Sequence, residues 1–329
     1  MGPKLRNALF QREAPPSVAW RREVDRWRGD RVYVTGRYRH RRGTDTLVVV
    51  VHGLGGCADS DYAVDAARRV DRAGHACLRL ELRGANRSGD DLYHGGLWED
   101  VAAAVTAPKF QDFDRILVVG FSLGGHVALR TAIELDSPRL AGVAAVCSPL
   151  DLGAAQREID SPAARPYRQY LLRELRQGYQ AVVEHKPGPT PLERVEMIRT
   201  LREWDALTVV PRFDFDDVDD YYRRASVAGQ LDDLRVPALL VAARNDPLVY
   251  SSAIEAGLPV HSEQFDLHWA ERGGHVFLPK KLDLGYGDSA STPQICSTNR
   301  SISPVASGLD RWMRSARFRA SSRLSSMFL

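Results

Sequence analysis

Short apolar runs alternate along the chain with segments that have the periodicity of an α-helix. The runs occupy residues 46–51, 76–82, 115–119, 140–147, 238–242 and, with a weaker pattern, 263–271. Continuous apolar strands of this length are typical of a parallel sheet that is covered on both faces. Helices are predicted over 60–73, 96–107 and 123–135, and an antiparallel strand over 31–38 precedes the parallel set. The sequence therefore predicts an α/β fold with a mostly parallel central sheet and helices on both faces.

The alternation is interrupted once, between Ser148-Pro149 and Val236-Pro237. The intervening segment is charged and predicts helices over 165–185, 191–204 and 216–224. Because ligands bind at the carboxyl edge of an open α/β sheet, helices inserted at this point would cover that edge. We predict a core made of residues 1–149 and 230–329, with residues 150–229 inserted as a helical cap that selects the substrate.

The segment Gly120-Phe121-Ser122-Leu123-Gly124 directly follows the apolar run 116–119 and precedes a predicted helix. A strand, a sharp turn and a helix form the context of a nucleophile elbow, in which a strained backbone exposes a serine hydroxyl. The flanking glycines leave room where a Cβ atom would collide with the neighbouring strand or helix. Such a string also occurs in ordinary loops, but its position here makes Ser122 the candidate nucleophile.

Asp246 is the candidate acid of a catalytic triad. A serine hydroxyl needs an imidazole to take its proton and an acid to orient that imidazole. Asp246 follows the predicted strand 238–242, at the sheet edge where the elbow also ends. An Asp-Pro pair is also a common turn initiator, and Asp151, just after the strand 140–147, is the alternative acid.

His275 is the candidate general base. It follows the last predicted strand and the pair Gly273-Gly274, which would let the loop turn the imidazole ring back over the sheet. Of the competing histidines, His261 precedes that strand and His268 lies inside it. Serine, acid and then histidine is one of the known chain orders of a triad.

The segment His52-Gly53-Leu54-Gly55-Gly56 follows the strand 46–51 and is the predicted oxyanion loop. Preorganised donors must meet the negative charge that develops on the carbonyl oxygen, and each contributes about 3 to 4 kcal/mol in a dry site. We assign this role to the backbone amides of Leu54 and of Leu123, the residue after the nucleophile. His52 and His126 are expected to brace the loop and the elbow rather than to react.

Neither a cofactor nor a metal ion is predicted. The four cysteines are widely separated with no C-x-x-C pair, which argues against a zinc site or a disulfide framework. Acidic residues cluster between Asp214 and Asp220, but their spacing is not that of a calcium loop. They coincide with a predicted helix start, where acidic side chains suit the helix dipole.

Charge and hydrophobicity restrict the partners. The formal net charge is +3 and the arginines are scattered over both ends of the chain, so nucleic-acid binding is not predicted.

The start lacks the apolar run of a secretory signal and no run reaches the roughly 18 residues of a membrane span, so a cytoplasmic protein without stable membrane insertion is expected. A helix with one apolar face is predicted over 305–316, and the basic tail predicts at most weak association with anionic lipid surfaces.

The motifs HGLGG (52–56), GFSLGGH (120–126), RNDP (244–247) and GGH (273–275) together resemble the α/β-hydrolase superfamily. The segments LYHGG (92–96), EWD (203–205) and DDYYRRAS (219–226) are similar to its YheT-like esterase family. The resemblance extends over most of the chain. It implies an α/β-hydrolase fold and a serine carboxylic ester hydrolase that acts through an acyl-enzyme, on small-molecule esters with short to medium acyl chains or of lipid origin.

Several activities remain open within this interpretation. An acyltransferase, a thioesterase or an amidase would use the same Ser122, Asp246 and His275. A non-catalytic ligand-binding homologue would keep the pocket, although a pure binder has no need for an activated nucleophile. The sequence does not choose the natural substrate or the oligomeric state.

Overall fold

A mixed sheet of eight strands lies at the centre of the protein in the computed structural model, which describes residues 13–260, 262–276 and 278. The strands are β1 (Val18–Trp27), β2 (Asp30–Arg39), β3 (Thr46–Val51), β4 (Ala76–Glu81), β5 (Arg115–Phe121), β6 (Leu140–Val146), β7 (Ala238–Ala243) and β8 (Phe265–Ala270). Their order across the sheet is β1-β2-β4-β3-β5-β6-β7-β8. β2 pairs antiparallel with β1 and β4, and all other neighbours are parallel. The predicted mostly parallel α/β architecture is confirmed.

Helices link the parallel strands and cover both faces of the sheet. They are α1 (Asp61–Arg72), α2 (Trp98–Val105), α3 (Leu123–Glu134), α4 (Leu152–Asp160), α5 (Arg165–Val183), α6 (Leu192–Glu196), α7 (Leu201–Trp204), α8 (Val210–Phe213), α9 (Val218–Ala225) and α10 (Ser251–Ala256). Buried side chains of α1 pack on one face, and those of α2, α3 and α10 pack on the other. Among the described residues, no helix is both long enough and apolar enough to cross a membrane.

Strand β3 shows why the strand sequences are continuous apolar runs. All its residues are buried. Val49 and Val51 belong to the hydrophobic cluster on the α2 and α3 side, whereas Val48 and Val50 belong to the cluster on the α1 side. Because successive side chains of a strand point to opposite faces, a strand with helices on both sides needs an apolar residue at every position.

Strand β1 was not predicted from the sequence. It pairs with β2 along its length, but most of its side chains are exposed or half-buried. Charged residues such as Arg21, Arg22 and Glu23 therefore interrupt the apolar pattern by which strands are recognised. Trp20 stacks on Phe110 at a ring-centroid distance of 5.5 Å and attaches this edge strand to the core.

Helices α4 to α9 all lie between β6 and β7, as expected for a helical cap. The predicted helix 191–204 is divided into α6 and α7 because Thr200 forms a capping box with Glu203, which starts a new helix. A π turn (Asp205–Val209) then joins α7 to α8 in one continuous helical rod. The division of the chain at residues 150 and 229 stays a prediction, and the expected helix over 305–316 lies outside the described residues.

A buried ion pair ties the end of β4 to helix α2. The Arg83 guanidinium donates to Asp100 Oδ1 from Nε at 2.9 Å and from a terminal nitrogen at 2.7 Å. The Arg83 backbone amide donates to the other carboxylate oxygen at 3.0 Å. Both side chains are almost inaccessible to solvent. The carboxylate is thus held by three hydrogen bonds, which offset the desolvation of both charges.

We predict that Asp100→Asn lowers the free energy of unfolding by about 3 kcal/mol, because it leaves the buried Arg83 charge without its main counter-charge. The midpoint and slope of urea unfolding at pH 7 measure this loss.

Asp219→Asn is the matched control for this loss. Asp219 also accepts two Arg202 hydrogen bonds, each 2.8 Å long, but both of these side chains are exposed. Exposed pairs contribute little, so this variant should unfold close to the wild type. An equal loss in the two variants would contradict the assigned role of burial.

Candidate active site

Ser122 lies in a strained turn between β5 and α3. Its φ of 51° and ψ of −122° place it in a region that residues other than glycine rarely adopt. A Cβ atom on Gly120 would lie 2.1 Å from the Gly124 carbonyl oxygen, and one on Gly124 would lie 2.3 Å from the His52 carbonyl oxygen. Only glycine at both positions therefore lets the helix approach the sheet closely enough to make this turn.

The structure brings Ser122, His275 and Asp246 into one hydrogen-bonded chain. Ser122 Oγ lies 3.0 Å from His275 Nε2. His275 Nδ1 lies 2.9 Å from Asp246 Oδ2 and 3.1 Å from Oδ1. With the Nδ1 proton donated to the carboxylate, Nε2 is the acceptor for the serine hydroxyl, which is the arrangement that nucleophilic activation requires.

The Asp246 carboxylate is fixed in place by the loop that follows β7. Its Oδ1 accepts hydrogen bonds from the backbone amides of Leu248 at 2.9 Å and Val249 at 3.1 Å. Together with the imidazole, these donors hold the buried carboxylate in one orientation. The alternative acid, Asp151, instead caps α4 by accepting from the Ala154 amide at 2.9 Å.

The other candidate histidines take no part in this hydrogen-bonded chain. Two of them, His52 and His126, hold the segments around it in place. His268 lies inside β8, and His261 is outside the described residues. His52 bridges the oxyanion loop to the end of β4, through the Gly53 carbonyl at 2.8 Å and the Leu82 amide at 3.3 Å. Burial lowers the pKa of His52, which suits a neutral ring that donates from one nitrogen and accepts at the other.

His126 lies in helix α3, directly after the elbow. Its Nδ1 lies 2.9 Å from the Pro149 carbonyl oxygen, and its Nε2 lies 2.9 Å from the Ala225 carbonyl oxygen.

The predicted oxyanion loop is held by two tyrosines that the sequence did not indicate. Gly53 N–H donates to Tyr62 Oη at 3.0 Å, and Gly55 N–H donates to Tyr93 Oη at 2.8 Å. The Leu54 amide between them has no hydrogen-bond acceptor among the described residues. As the first residue of α3, Leu123 also presents an amide that its own helix leaves free. Leu54, Leu123, Ser122 and His275 line the same cavity.

The sequence comparisons agree with this arrangement of elements. A family model described as the alpha/beta hydrolase family matches residues 48–280. The chain belongs to this family.

Three relatives of this α/β hydrolase have names that describe an activity. YheT of Escherichia coli, which bears an esterase name, is 28% identical over 239 residues that cover 70% of this chain and 69% of YheT. The monoacylglycerol lipase of Saccharomyces cerevisiae is 26% identical and covers 62% of this chain and 48% of the lipase. The medium-chain fatty acid ethyl ester synthase/esterase 2 of the same yeast is 27% identical, with 62% and 51% covered. The predicted similarity to YheT is confirmed, and the chain spans about half the length of the two yeast relatives.

Solved structures with the same fold include an esterase of Pyrococcus furiosus and an α/β hydrolase of a Penicillium species. The first has a TM-score of 0.51 at 18% identity and covers 79% of this chain and 85% of its own. The second has a TM-score of 0.52 at 17% identity, with 83% and 94% covered. At this identity the likeness shows the α/β-hydrolase fold alone.

A cavity of about 70 Å³ lies between the elbow and helices that are inserted between β6 and β7 of the hydrolase. Most of its lining is aliphatic or aromatic, as is usual for an acyl-binding space. The Tyr167 ring stands edge-on to His275 at a ring-centroid distance of 6.0 Å and restricts the imidazole from the cap side. The ionisable lining side chains include His94 and Asp205, and burial lowers the pKa of His94 well below its usual value.

Asp205 is the buried carboxyl group of this cavity, and sequence reasoning did not assign it to the site. Tyr222 donates a hydrogen bond to its Oδ2 at 2.6 Å. Burial raises the pKa of Asp205 to about 7, and the nearby Asp160 adds to this, while Tyr222 and Arg202 act in the opposite direction. The only sequence signal was the EWD segment, whose aspartate lies inside the cap.

We predict that Asp205→Asn becomes more stable relative to the wild type as the pH rises. Unfolded, this carboxyl group loses its proton near pH 4, whereas in the folded protein it keeps it up to about pH 7. The folded wild type thus binds more protons over this window, and its free energy of unfolding falls as the pH rises through it. The variant should gain about 4 kcal/mol relative to the wild type between pH 4 and pH 8, as measured by urea unfolding. A difference that is constant with pH would contradict the raised pKa.

Proposed function

We propose that this α/β hydrolase is a serine carboxylic ester hydrolase without a cofactor or metal ion. The observation that carries the proposal is the continuous hydrogen-bonded chain from Ser122 Oγ through His275 to Asp246, with distances of 3.0 Å and 2.9 Å. The esterase and lipase names of the relatives support a hydrolase of this general type. A half-buried serine in a strained turn beside an oriented imidazole is suited to acyl transfer.

The mechanism follows from the positions of these groups. Ser122 Oγ attacks the acyl carbonyl carbon while His275 Nε2 takes its proton, and Asp246 stabilises the imidazolium that forms. The amides of Leu54 and Leu123 donate to the carbonyl oxygen as it becomes negative. His275 then protonates the leaving alcohol, and the acyl group stays on Ser122. A water molecule, deprotonated by the same imidazole, releases the acid and restores the serine.

The substrate class that we propose is esters with short to medium acyl chains or of lipid origin. The apolar lining of the cavity and the names of the yeast relatives support it. With the cap positioned as described, a cavity of about 70 Å³ holds only a few non-hydrogen atoms. Short acyl groups therefore fit directly, and longer ones require cap helices to move apart.

Acyl transfer to an alcohol is the second candidate, and one observation favours it. A relative of the chain is named as both an ester synthase and an esterase. The same acyl-enzyme would then be attacked by an alcohol in place of water, so the distinction depends on which acceptor the cap admits. Hydrolysis in buffer and ester formation in added ethanol, followed in one reaction by chromatography, measure the partition directly.

We predict that Ser122→Ala lowers kcat for p-nitrophenyl butyrate by roughly a millionfold and Asp246→Asn by about ten-thousandfold. The serine variant loses the nucleophile, whereas the asparagine variant leaves the imidazole in the wrong tautomer. A fluorophosphonate probe should label the wild type and fail to label Ser122→Ala.

The exposed Ser88 provides the matched control for labelling. Ser88→Ala should be labelled and should turn over ester like the wild type. Undiminished activity of Ser122→Ala would refute the proposed nucleophile. A thioesterase would show itself by faster cleavage of the matched thioester, and a wild type that is neither labelled nor active would favour the ligand-binding alternative.

A cytoplasmic location and weak binding of the basic tail to anionic lipid complete the proposal. The tail lies outside the described residues, so its charge in the sequence is the support. Removal of the residues after Gly308 should reduce sedimentation with phosphatidylserine vesicles at low salt. Equal sedimentation of the full and shortened chains would contradict a role for the tail.

A further inference from the structure

The Asp205 carboxyl group is more buried than its partners justify. The residue retains 7% of its accessible surface and begins the π turn (Asp205–Val209) on the wall of the cavity. Within the described part of the chain, Tyr222 is the only hydrogen-bond partner of its carboxyl oxygens, and it engages Oδ2. The other oxygen, Oδ1, remains able to accept a hydrogen bond from a ligand in the cavity that the residue lines. A mostly buried carboxyl group with one partner is unfavourable unless a ligand supplies another.

Tyr221 lines the same cavity and supplies a hydrogen-bond donor, whereas Asp205 supplies an acceptor. Its hydroxyl oxygen accepts a hydrogen bond from the Gly95 amide at 3.1 Å, and its own proton has no acceptor among the described residues. Burial raises the pKa of Tyr221 well above its usual value and the nearby Asp205 adds to this, so the group remains a donor at neutral pH. The ring packs on Tyr222 at a centroid distance of 5.0 Å, which holds the two tyrosines together.

Among the oxygen groups common in ester substrates, a hydroxyl group satisfies both residues at once. It accepts from a donor and donates to an acceptor, whereas an ether or carbonyl oxygen only accepts and an ammonium only donates. An aliphatic group would leave the carboxyl and the tyrosine proton without partners. π turns in helices also occur frequently at functional sites.

From this geometry we infer that Asp205 and Tyr221 form a recognition site for a hydroxyl group on the ester substrate. This inference rests on the proposed function and names a feature of the substrate that the function leaves open. Tyr222 acts as a positioning residue, because it holds the carboxyl group through Oδ2. The hydroxyl belongs either to the acyl half of the ester, as in a hydroxy acid, or to the alcohol half, as in a polyol.

Matched esters distinguish these two sources. Propyl butyrate is the reference, propyl 3-hydroxybutyrate adds a hydroxyl to the acyl half, and 2-hydroxypropyl butyrate adds one to the alcohol half. Hydrolysis is followed by titration of the released acid at pH 8, and each kcat/KM is divided by the rate constant of hydroxide hydrolysis. We expect the wild type to prefer one hydroxylated ester over the reference by about tenfold or more. An ester without the hydroxyl group would leave the buried Asp205 and Tyr221 side chains unpaired.

Two variants and a control identify the residues responsible. Asp205→Asn and Tyr221→Phe should each reduce the preference to less than about threefold, since each removes one side of the recognition pair. Tyr179→Phe is the matched control. Tyr179 is another buried cap tyrosine, whose hydroxyl bonds to the Thr190 backbone away from this cavity. This control should keep the full preference.

The outcomes separate this inference from the proposed function. Equal cleavage of all three esters would overturn the inference and leave the ester hydrolase intact, and so would a preference that survives both substitutions. If no ester is cleaved, the inference is tested by calorimetric binding of the same three esters to Ser122→Ala. Tighter binding of one hydroxylated ester, lost when Asp205→Asn is added, would support the recognition site, and equal binding of all three would overturn it.

Discussion

The strained backbone of Ser122 is the constraint on which the arrangement of the site depends. A φ of 51° at a serine is unfavourable by about 1 to 3 kcal/mol, so the surroundings must impose it. The Ser122 amide donates to the Val146 carbonyl at 2.9 Å, and Ser148 Oγ donates to the Ser122 carbonyl at 3.0 Å. Glycines on both sides admit the backbone of the neighbouring strand and helix. The turn is thereby fixed from both ends, and Leu123, the first residue of α3, lines the same cavity as Ser122.

Parallel strands explain how distant parts of the chain meet at this turn. The oxyanion loop follows β3, the elbow follows β5, Asp246 follows β7 and His275 follows β8. Because these strands run in one direction, all four segments emerge at the same edge of the sheet. Ser122 and His275 are 153 positions apart and yet lie within hydrogen-bond distance. The loops of this edge carry the proposed reacting groups, and the buried strands beneath them supply the rigidity.

The sequence predicted what is repeated or local and missed what depends on a single distant contact. Continuous apolar runs located the six parallel strands, and the glycines around Ser122 located the elbow. Strand β1 was missed because its exposed face carries charges. Tyr93 supports the predicted oxyanion loop from 38 positions away through one hydroxyl group. Asp205, in the π turn, accepts a hydrogen bond from Tyr222 in helix α9. Contacts of this kind leave no periodic pattern in the chain, so only the three-dimensional structure reveals them.

Two buried carboxyl groups of the molecule differ in how completely the protein satisfies them. Asp100 receives three hydrogen bonds from Arg83, so its charge is matched within the fold and needs nothing further. Among the described residues Asp205 receives one, from Tyr222, and its side chain forms part of a cavity wall. An apolar residue would pack at that position without the desolvation of a carboxyl group. Residues that oppose folding in this way are expected where a protein binds or transforms a ligand, because a partner present only in the complex completes them. The incomplete hydrogen bonding of Asp205, more than its burial, therefore places it with the substrate rather than with the core.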